Sequence, residues 1–189
     1  RSWWLSMGSS TPGLVTNALP GAWHVYLRDL QTATTTLVDA DPTGVGSLVT
    51  ASTVPSVSSD VRFVAFESAD GALVASDDNH SLDVFVRDLV AGTNELISAH
   101  HPTLHSVTPN GPSLLSAFSP SADGRHVAFA SMADDLTAGD TNGYLDVFVR
   151  DLATGSSILV SADPAGLSGN GPSFEPAISG DGRYIAFTS

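Results

Sequence analysis

The sequence predicts an all-β protein built from repeated four-stranded antiparallel sheets, and three observations carry this prediction. Four short segments recur in a fixed order about every sixty residues along the 189-residue chain. Each segment contains valine, isoleucine or phenylalanine and is bounded by turn residues, as β-strands are. No segment sustains the period of about 3.6 residues that an amphipathic helix requires, so we expect almost no helix.

The hairpin between the first two strands of each unit, strands a and b, is the clearest local signal. Strand a lies in TVPSVSSD, SLLSAFSPSAD and SFEPAISGD, and strand b follows in RFVAFES, RHVAFAS and RYIAFTS. Two hairpins contain Asp-Gly, at Asp123-Gly124 and Asp181-Gly182, where glycine tolerates the positive φ of a tight turn. Val61 takes the glycine position in the remaining unit, and we therefore expect a different turn geometry there.

Strands c and d complete each unit. Strand c reads VYLRDL, VFVRDL and VFVRDL, at 25–30, 84–89 and 147–152, and strand d follows at 34–44, 94–103 and 156–166. The arginine of strand c recurs after 59 and then 63 residues, at Arg28, Arg87 and Arg150. The chain opens inside a strand b that we place at Trp3–Ser6, in line with residues 186–189.

Both faces of the predicted strands are apolar, and this feature selects the architecture. Val127, Ala128 and Phe129 follow one another, so both sides of that strand carry apolar groups. A sheet of this kind must be covered on both faces by neighbouring sheets. Radial repetition of four-stranded antiparallel sheets is a β-propeller, whose blade units here span approximately 1–49, 50–109, 110–170 and 171–189.

The repeats amount to about three blade-lengths, which is less than a ring. Propellers typically contain four to eight blades, whereas this chain supplies two full units and parts of two others. We expect either that the chain is a segment of a longer propeller or that several copies assemble into a ring.

The repeat also resembles a known family. The pattern S-x-D-G-R-x-[VI]-A-F-x-S, followed by an Asp-x-Asn turn and DVFVRDL, is similar to TolB-type propeller repeats, which are relatives of the WD repeats. The resemblance covers nearly the whole chain, although the first unit lacks the acidic turn. It implies protein or polymer recognition through loops at the faces of the ring, in a longer exported or surface protein.

The charge of the chain limits the classes of partner that we expect it to bind. The formal net charge is −13, all seven basic residues are arginine, and there is neither lysine nor cysteine. Such an acidic protein repels phosphate backbones and anionic membranes, which argues against nucleic-acid binding. Disulfides and thiol chemistry are excluded, and no apolar run is long enough for a membrane span. Divalent cations or basic partners fit this charge, and we expect an extracellular, cell-surface or periplasmic location.

Two loops between strands b and c carry the same acidic pattern. The residues at relative positions 1, 3 and 7 are Asp140, Asn142 and Asp146 in one loop and Asp77, Asn79 and Asp83 in the other. Short oxygen-bearing side chains at positions 1 and 3 resemble the opening of a calcium loop. The same residue types also cap turns through hydrogen bonds from side chain to backbone. No glutamate stands at the EF-hand position, so calcium binding and turn capping both remain open.

The other chemistry-bearing residues favour structural roles. The Arg-Asp pairs of strand c place adjacent side chains on opposite faces, which indicates a network between blades. The sequence also contains a histidine cluster of His100, His101 and His105, whose spacing matches no zinc site. We expect these histidines to lie in a solvated loop. We expect core packing for the three tryptophans of the first unit, Trp3, Trp4 and Trp23.

Nucleophile and phosphate-binding motifs are missing from the sequence. We therefore expect a non-catalytic binding or scaffolding propeller, with calcium as its one candidate cofactor. Three alternatives stay open. One is an accessory propeller domain of a larger hydrolase, such as a propeller-bearing serine peptidase. Another is a calcium-stabilised structural propeller assembled from several chains, and the last is a propeller hydrolase with its site in the central channel.

Overall fold

The computed structural model describes residues 4–9, 14–47, 49, 55–101 and 108–189, with the backbone alone for residues 4–9. Within these residues the chain is all β, with thirteen strands and no helix. The strands form antiparallel sheets that each follow chain order, which confirms the predicted partial β-propeller of four-stranded blades. No helix of the described residues is long and apolar enough to cross a membrane.

Each sheet is one blade, and its strands are named a to d in chain order. Blade 1 contains strands b to d, which are β1 (Trp4–Ser9), β2 (His24–Asp29) and β3 (Thr34–Leu37). Blade 2 contains β4 (Ser56–Val57), β5 (Phe63–Ser68), β6 (Asp83–Asp88) and β7 (Thr93–Leu96). Blade 3 contains β8 (Ser113–Leu114), β9 (His126–Ser131), β10 (Asp146–Asp151) and β11 (Ser156–Leu159). Blade 4 contains strands a and b, which are β12 (Phe174–Ile178) and β13 (Ile185–Thr188).

The strand register repeats from blade to blade. β5 pairs with β6 so that Phe66 faces Phe85, and β9 pairs with β10 so that Phe129 faces Phe148. The rings stack in both pairs, with centroids 5.8 and 5.7 Å apart. The recurring VAF and VFV segments therefore form the same cross-strand contact, at a distance that favours aromatic pairs.

The predicted position of the first strand is wrong by three residues. β1 begins at Trp4, and its pairing places Trp4 opposite Asp29. Ser9, rather than Ser6, then occupies the position that Ser68 holds in blade 2. Pairing with β2 sets this register, because a shift by an odd number of residues would turn every side chain of β1 to the other face.

The core lies between the blades, as expected from strands that are apolar on both faces. Val64 and Phe66 of blade 2 belong to one buried cluster with Val25 of blade 1. Ala65 points to the opposite face and belongs to a second cluster with Phe129 of blade 3. All five side chains are fully buried. Blade 2 is therefore covered on both sides by its neighbours.

All three hairpins between strands a and b share one turn geometry, so the different geometry expected at Val61 is wrong. Val61 has a φ of 61°, beside 68° for Gly124 and 70° for Gly182. In every hairpin the serine hydroxyl donates to the aspartate two residues later at 2.6 Å, as from Ser58 to Asp60. A β-branched residue is strained in this left-handed region, but the shared Ser–Asp pair still imposes the turn.

Turns and loops divide between two ends of the blades. The hairpin end carries the a–b and c–d turns, and the loop end carries the b–c loops and the d–a connections. At the hairpin end successive a–b turns touch, because the Ala122 N–H donates to the Gly180 carbonyl at 2.8 Å. At the loop end a b–c loop touches a d–a connection, because Asn142 Nδ2 donates to the Gly169 carbonyl at 2.9 Å.

Candidate functional site

Charge separates between the two ends of the blades. The hairpin end and the strand ends that border it carry six arginines and six aspartates. The loop end and its bordering strand ends carry eleven aspartates and, among the described residues, no arginine. These aspartates are Asp39, Asp41, Asp70, Asp77, Asp78, Asp83, Asp134, Asp135, Asp140, Asp146 and Asp163. The excess negative charge of the chain therefore lies mainly on the loop end.

Exposed apolar side chains accompany the aspartates of the loop end. Trp23, immediately before β2, is 59% exposed, so its predicted core position is wrong. Met132, Tyr144 and Leu167 of blade 3 and its connection are exposed as well. Trp3 and the side chain of Trp4 lie outside the described residues. The loop end thus combines anionic and apolar groups, and aromatic side chains of this kind are enriched at protein interfaces.

Asn142 ties the b–c loop of blade 3 to neighbouring segments. Its Oδ1 accepts the Tyr144 N–H at 2.7 Å, which fixes the orientation of the amide. Its Nδ2 then donates to Asp146 Oδ2 at 2.7 Å and to the Gly169 carbonyl at 2.9 Å. The contact with Tyr144 is of the kind that the turn-capping interpretation predicts, whereas the other two join the loop to strand c and to the d–a connection.

Asp146 is buried at the start of β10 and both of its oxygens are used. Oδ1 accepts the Ser161 hydroxyl at 2.6 Å, and Oδ2 accepts the Asn142 amide. The Ser161 oxygen in turn accepts the Val147 N–H at 3.0 Å. This carboxylate therefore links strand c to strand d within blade 3.

Asp140 differs from its two partners in the pattern. It is 4% exposed, yet neither carboxylate oxygen has a hydrogen-bond partner of good geometry. Burial, and then the charge of Asp146, raise the pKa of Asp140. The Asn142 N–H and the Ser168 hydroxyl approach it closely enough to lower that pKa in part. Asp140 is thus the member of the set that has oxygens free to bind another group.

The equivalent loop of blade 2 repeats part of this arrangement. Asn79 Oδ1 accepts the Ser81 N–H at 2.8 Å, as Asn142 accepts that of Tyr144. Asp83 Oδ1 accepts the Ser98 hydroxyl at 2.8 Å, whereas its Oδ2 has no hydrogen bond of good geometry. Burial is the main cause that raises the pKa of Asp83 to about 6. Burial, and then the charge of Asp78, also raise the pKa of Asp77.

The acidic loops do not gather a cluster of ionisable ligands. Among the described residues, no group of three histidine, aspartate or glutamate side chains is placed to hold a metal ion. An ion in either loop would therefore take most of its ligands from backbone carbonyls, amide or hydroxyl oxygens and water. The calcium interpretation of Asp140, Asn142 and Asp146, and of Asp77, Asn79 and Asp83, stays a prediction.

In blade 1, His24 occupies the position at the start of strand c that Asp83 has in blade 2. The carboxylate that contacts it is Asp39, in the segment after strand d. Asp39 Oδ2 lies 3.0 Å from His24 Nδ1, and both side chains are buried. Asp39 Oδ1 accepts the Val25 N–H at 3.2 Å, the role that serine has in the other blades. We did not predict this pair. Its signal is the separation of fifteen residues, which Asp83 shares with Ser98 and Asp146 shares with Ser161.

The arginines of the hairpin end have structural partners, and the predicted network between blades forms only in part, because Asp88 and Asp151 pair within their own blades. Arg62 pairs with Asp88 at 2.7 Å, and Arg125 pairs with Asp151 at the same distance. Arg150 connects blades, because its Nε lies 3.9 Å from Glu95 of blade 2. These contacts join turns to strands and one blade to the next.

The histidines of the d–a connection after blade 2 are not arranged as expected. His100 is buried, and its Nδ1 lies 2.6 Å from the His101 carbonyl oxygen, so the predicted solvated position is wrong for it. His105 lies outside the described residues. The backbone N–H of His101 donates to the Asp135 carbonyl at 2.9 Å, which draws this connection against the b–c loop of blade 3.

The blades, their register and their two-sided core define the chain as part of a β-propeller. Among solved structures, an oligogalacturonate lyase in complex with manganese matches 97% of this chain and 42% of its own, with a TM-score of 0.55 and 15% identity. The tricorn protease matches 88% of this chain and 13% of its own, with a TM-score of 0.50 and 14% identity. TolB from Acinetobacter baumannii matches 88% of this chain and 32% of its own, with a TM-score of 0.49 and 17% identity.

These comparisons establish the fold. The predicted β-propeller architecture is confirmed, and proteins with this fold include enzymes. The chain spans less than half the length of each of these three proteins. No protein-family model matches the chain, and neither does any curated protein.

Proposed function

We propose that the chain is a non-catalytic binding module that presents its loop end to a positively charged protein, within a longer exported or cell-surface protein. The observation that carries this proposal is the separation of charge: eleven aspartates border the loop end, and the described arginines border the hairpin end. A surface with one sign of charge attracts a partner of the opposite sign over a distance of about 10 Å at moderate salt.

Apolar side chains would supply the short-range part of such an interface. Trp23 and Tyr144 are exposed at the loop end of blades 1 and 3. Large aromatic side chains carry a disproportionate share of binding energy when a partner covers them. Charge would then set the association rate and its salt dependence, whereas these side chains would set the lifetime of the complex.

The ionisable groups favour binding over catalysis. The His24–Asp39 pair is buried, and His24 Nε2 lies 3.0 Å from both the backbone nitrogen and the carbonyl oxygen of Leu19. Neither member reaches a substrate without local opening of the blade. We expect no turnover of peptide or glycoside substrates by the purified chain, and turnover that a single substitution abolishes would contradict this part of the proposal.

Binding to poly-L-lysine at increasing salt tests the proposed surface. The variant Asp78→Asn with Asp134→Asn removes two exposed charges from the loop end. The control Asp60→Asn with Asp181→Asn removes two exposed charges from the hairpin end and keeps the oxygen that caps each turn. We expect the loop-end variant to bind several-fold more weakly than the control. Equal weakening by both variants would show that only net charge matters and would overturn the proposal.

We propose an extracellular, cell-surface or periplasmic location for the parent protein. A negative net charge and the lack of cysteine are compatible with that location. Fractionation of the organism that makes the protein tests this directly, and recovery in the cytosolic fraction would contradict it.

A further inference from the structure

We propose that the b–c loop of blade 3 binds one calcium ion, with the carboxylate of Asp140 as its anchor. The inference goes beyond partner binding, since it assigns a ligand to a site inside the loop end. It is independent of which protein the loop end binds.

The first observation is a concentration of buried oxygens that lack hydrogen bonds of good geometry. Seven buried side-chain atoms of the described residues lack a partner of good geometry, and three of them lie within the turn 137–140. They are the Thr137 hydroxyl and both carboxylate oxygens of Asp140. Each buried polar atom left without a partner costs about 1–3 kcal/mol, so a site of this kind favours a bound group that satisfies several oxygens together.

The second observation is the sign of the surrounding charge. The charged side chains that act on Asp140 are Asp146 and Asp134, and both are carboxylates. The described loop end has no arginine, and the chain has no lysine. Neither arginine nor lysine is therefore available at the described loop end to neutralise this carboxylate. A cation from solution is the group that compensates both the missing hydrogen bonds and the unbalanced charge.

The chemistry of the loop selects calcium among common cations. The free ligand atoms are a carboxylate and a hydroxyl, which are hard oxygen donors and do not favour zinc. Magnesium keeps several waters in a strict octahedron, whereas calcium accepts irregular sets of carboxylate, hydroxyl and carbonyl oxygens. Asp140 is 4% exposed, which leaves little room for a hydration shell. With one freely available carboxylate, we expect a dissociation constant on the order of 10⁻⁴–10⁻³ M, as in extracellular calcium modules.

An ion at this place would brace the contact between two loop-end segments. The Ser168 hydroxyl oxygen accepts the Thr141 N–H at 3.1 Å, and the Gly139 carbonyl accepts the Ser168 N–H at 3.0 Å. Asp140 lies between these two attachment points in sequence. Calcium would therefore stabilise the b–c loop that carries Tyr144 against the d–a connection that carries Leu167.

Thermal unfolding with calcium chloride, magnesium chloride or EDTA tests the site on three forms of the chain. Asp140→Asn keeps the size of the side chain and removes the charge. Asp78→Asn makes the same charge change at an exposed residue of the loop end of blade 2 and serves as the control. At 10 mM calcium we expect the wild type and the control to gain about 3–10 °C in Tm, with a smaller gain from magnesium. Titration calorimetry on the wild type should show one calcium ion bound.

The variant Asp140→Asn should behave differently in two ways. In EDTA it should be at least as stable as the wild type, because an uncompensated buried charge is removed. In calcium its Tm should stay unchanged. An unchanged Tm of the wild type in calcium would overturn the proposal, and so would an equal gain in Asp140→Asn. Neither result bears on the poly-L-lysine experiment, so the two proposals fail separately.

Discussion

Gly124 and Gly155 have the same left-handed backbone but different surroundings, and they show what single residues decide in this fold. Their φ angles are 68° and 65°. A Cβ on Gly124 would overlap the Phe63 ring of the preceding blade, whereas the nearest atom to a Cβ on Gly155 would be 3.7 Å away. The first glycine is needed for the turn and for blade contact, and the second is needed for the turn alone.

Alanine at these two glycines separates the two requirements. Gly155→Ala should cost about 1 kcal/mol of unfolding free energy, the usual penalty for a left-handed alanine. Gly124→Ala should cost about 2–4 kcal/mol, because overpacking against Phe63 is added. Urea denaturation of both variants measures the difference. Equal losses would show that the a–b turn of blade 3 does not pack on blade 2 as described.

The Arg62–Asp88 pair makes stability depend on pH in the acid range. The hydrogen bonds from Arg62 are the main cause that lowers the pKa of Asp88 to about 2. A carboxyl with a lowered folded-state pKa stabilises the fold above its unfolded pKa of about 4, and this contribution is lost as the pH falls toward 2. Arg62→Gln should therefore unfold more easily than the wild type at pH 6, and the difference should shrink between pH 4 and pH 2.

Arg183→Gln is the matched control for this pH dependence. Within the described residues Arg183 has no carboxylate in an ion pair, and its guanidinium lies 5.1 Å from the centre of the Tyr184 ring. Its difference from the wild type should not vary between pH 6 and pH 2. A difference for Arg62→Gln that stays constant over that range would show that the Asp88 pair contributes nothing.

At the scale of elements, strand c and the strands b of blades 2 to 4 could be predicted well, whereas strand a and the strand b of blade 1 could not. Strand d begins within one residue of its predicted start but is only four residues long in blades 1 to 3. Strands b and c carry apolar residues in a repeated register, so their copies align by sequence. Strand a is formally only two residues long in blades 2 and 3. In blade 3 it is followed by irregular backbone with a positive φ at Phe118, and in blade 4 a positive φ at Glu175 lies inside strand a itself. Such kinks depend on contacts with neighbouring blades, which local sequence does not encode.

Blade 1 has His24 and Asp39 at the contact between strand c and the segment after strand d, where blades 2 and 3 have an aspartate and a serine. We expect the two positions to be coupled, so that a change at one requires a change at the other. His24→Asp alone would bury two carboxylates side by side and should cost about 3–5 kcal/mol. Adding Asp39→Ser restores the pair found in blades 2 and 3 and should recover more than half of that loss. Chemical denaturation of the single and double variants measures this. Additive losses would contradict the equivalence of the blades.

Glu67 of blade 2 forms a hydrogen bond to the end of strand a of blade 3 and so links the two blades. It stands where blade 3 has Ala130, it is buried, and its Oε1 accepts the Leu115 N–H at 2.5 Å. Burial raises the pKa of Glu67 because its buried surroundings disfavour the ionised form. Glu67→Gln should thus be as stable as the wild type at pH 7, or more stable. Glu67→Ala should lose about 1–3 kcal/mol in denaturation, and equal stability of the two variants would exclude the role of this hydrogen bond.

At the scale of the whole molecule, the stacking of blades followed from the sequence and the polarity of the surface did not. Apolar residues on both strand faces predict burial between sheets, as found around Phe66 and Phe129. The charge separation requires each aspartate to be assigned to one end of a blade. That assignment is available from the repeat once strand direction is known. The roles of Asp140 and Glu67 required three-dimensional contacts with other segments.

The central claim is that successive blades pack face to face, and a double-mutant cycle between Phe63 of blade 2 and Gly124 of blade 3 tests it most directly. Phe63→Leu replaces the ring that a Cβ at position 124 would overlap by a smaller side chain. It should therefore relieve part of the loss of unfolding free energy caused by Gly124→Ala. We predict that the double variant is more stable than the sum of the single losses implies, by at least about 1 kcal/mol. Losses that add within about 0.5 kcal/mol would mean that the two blades do not meet there, and would contradict the stacked arrangement.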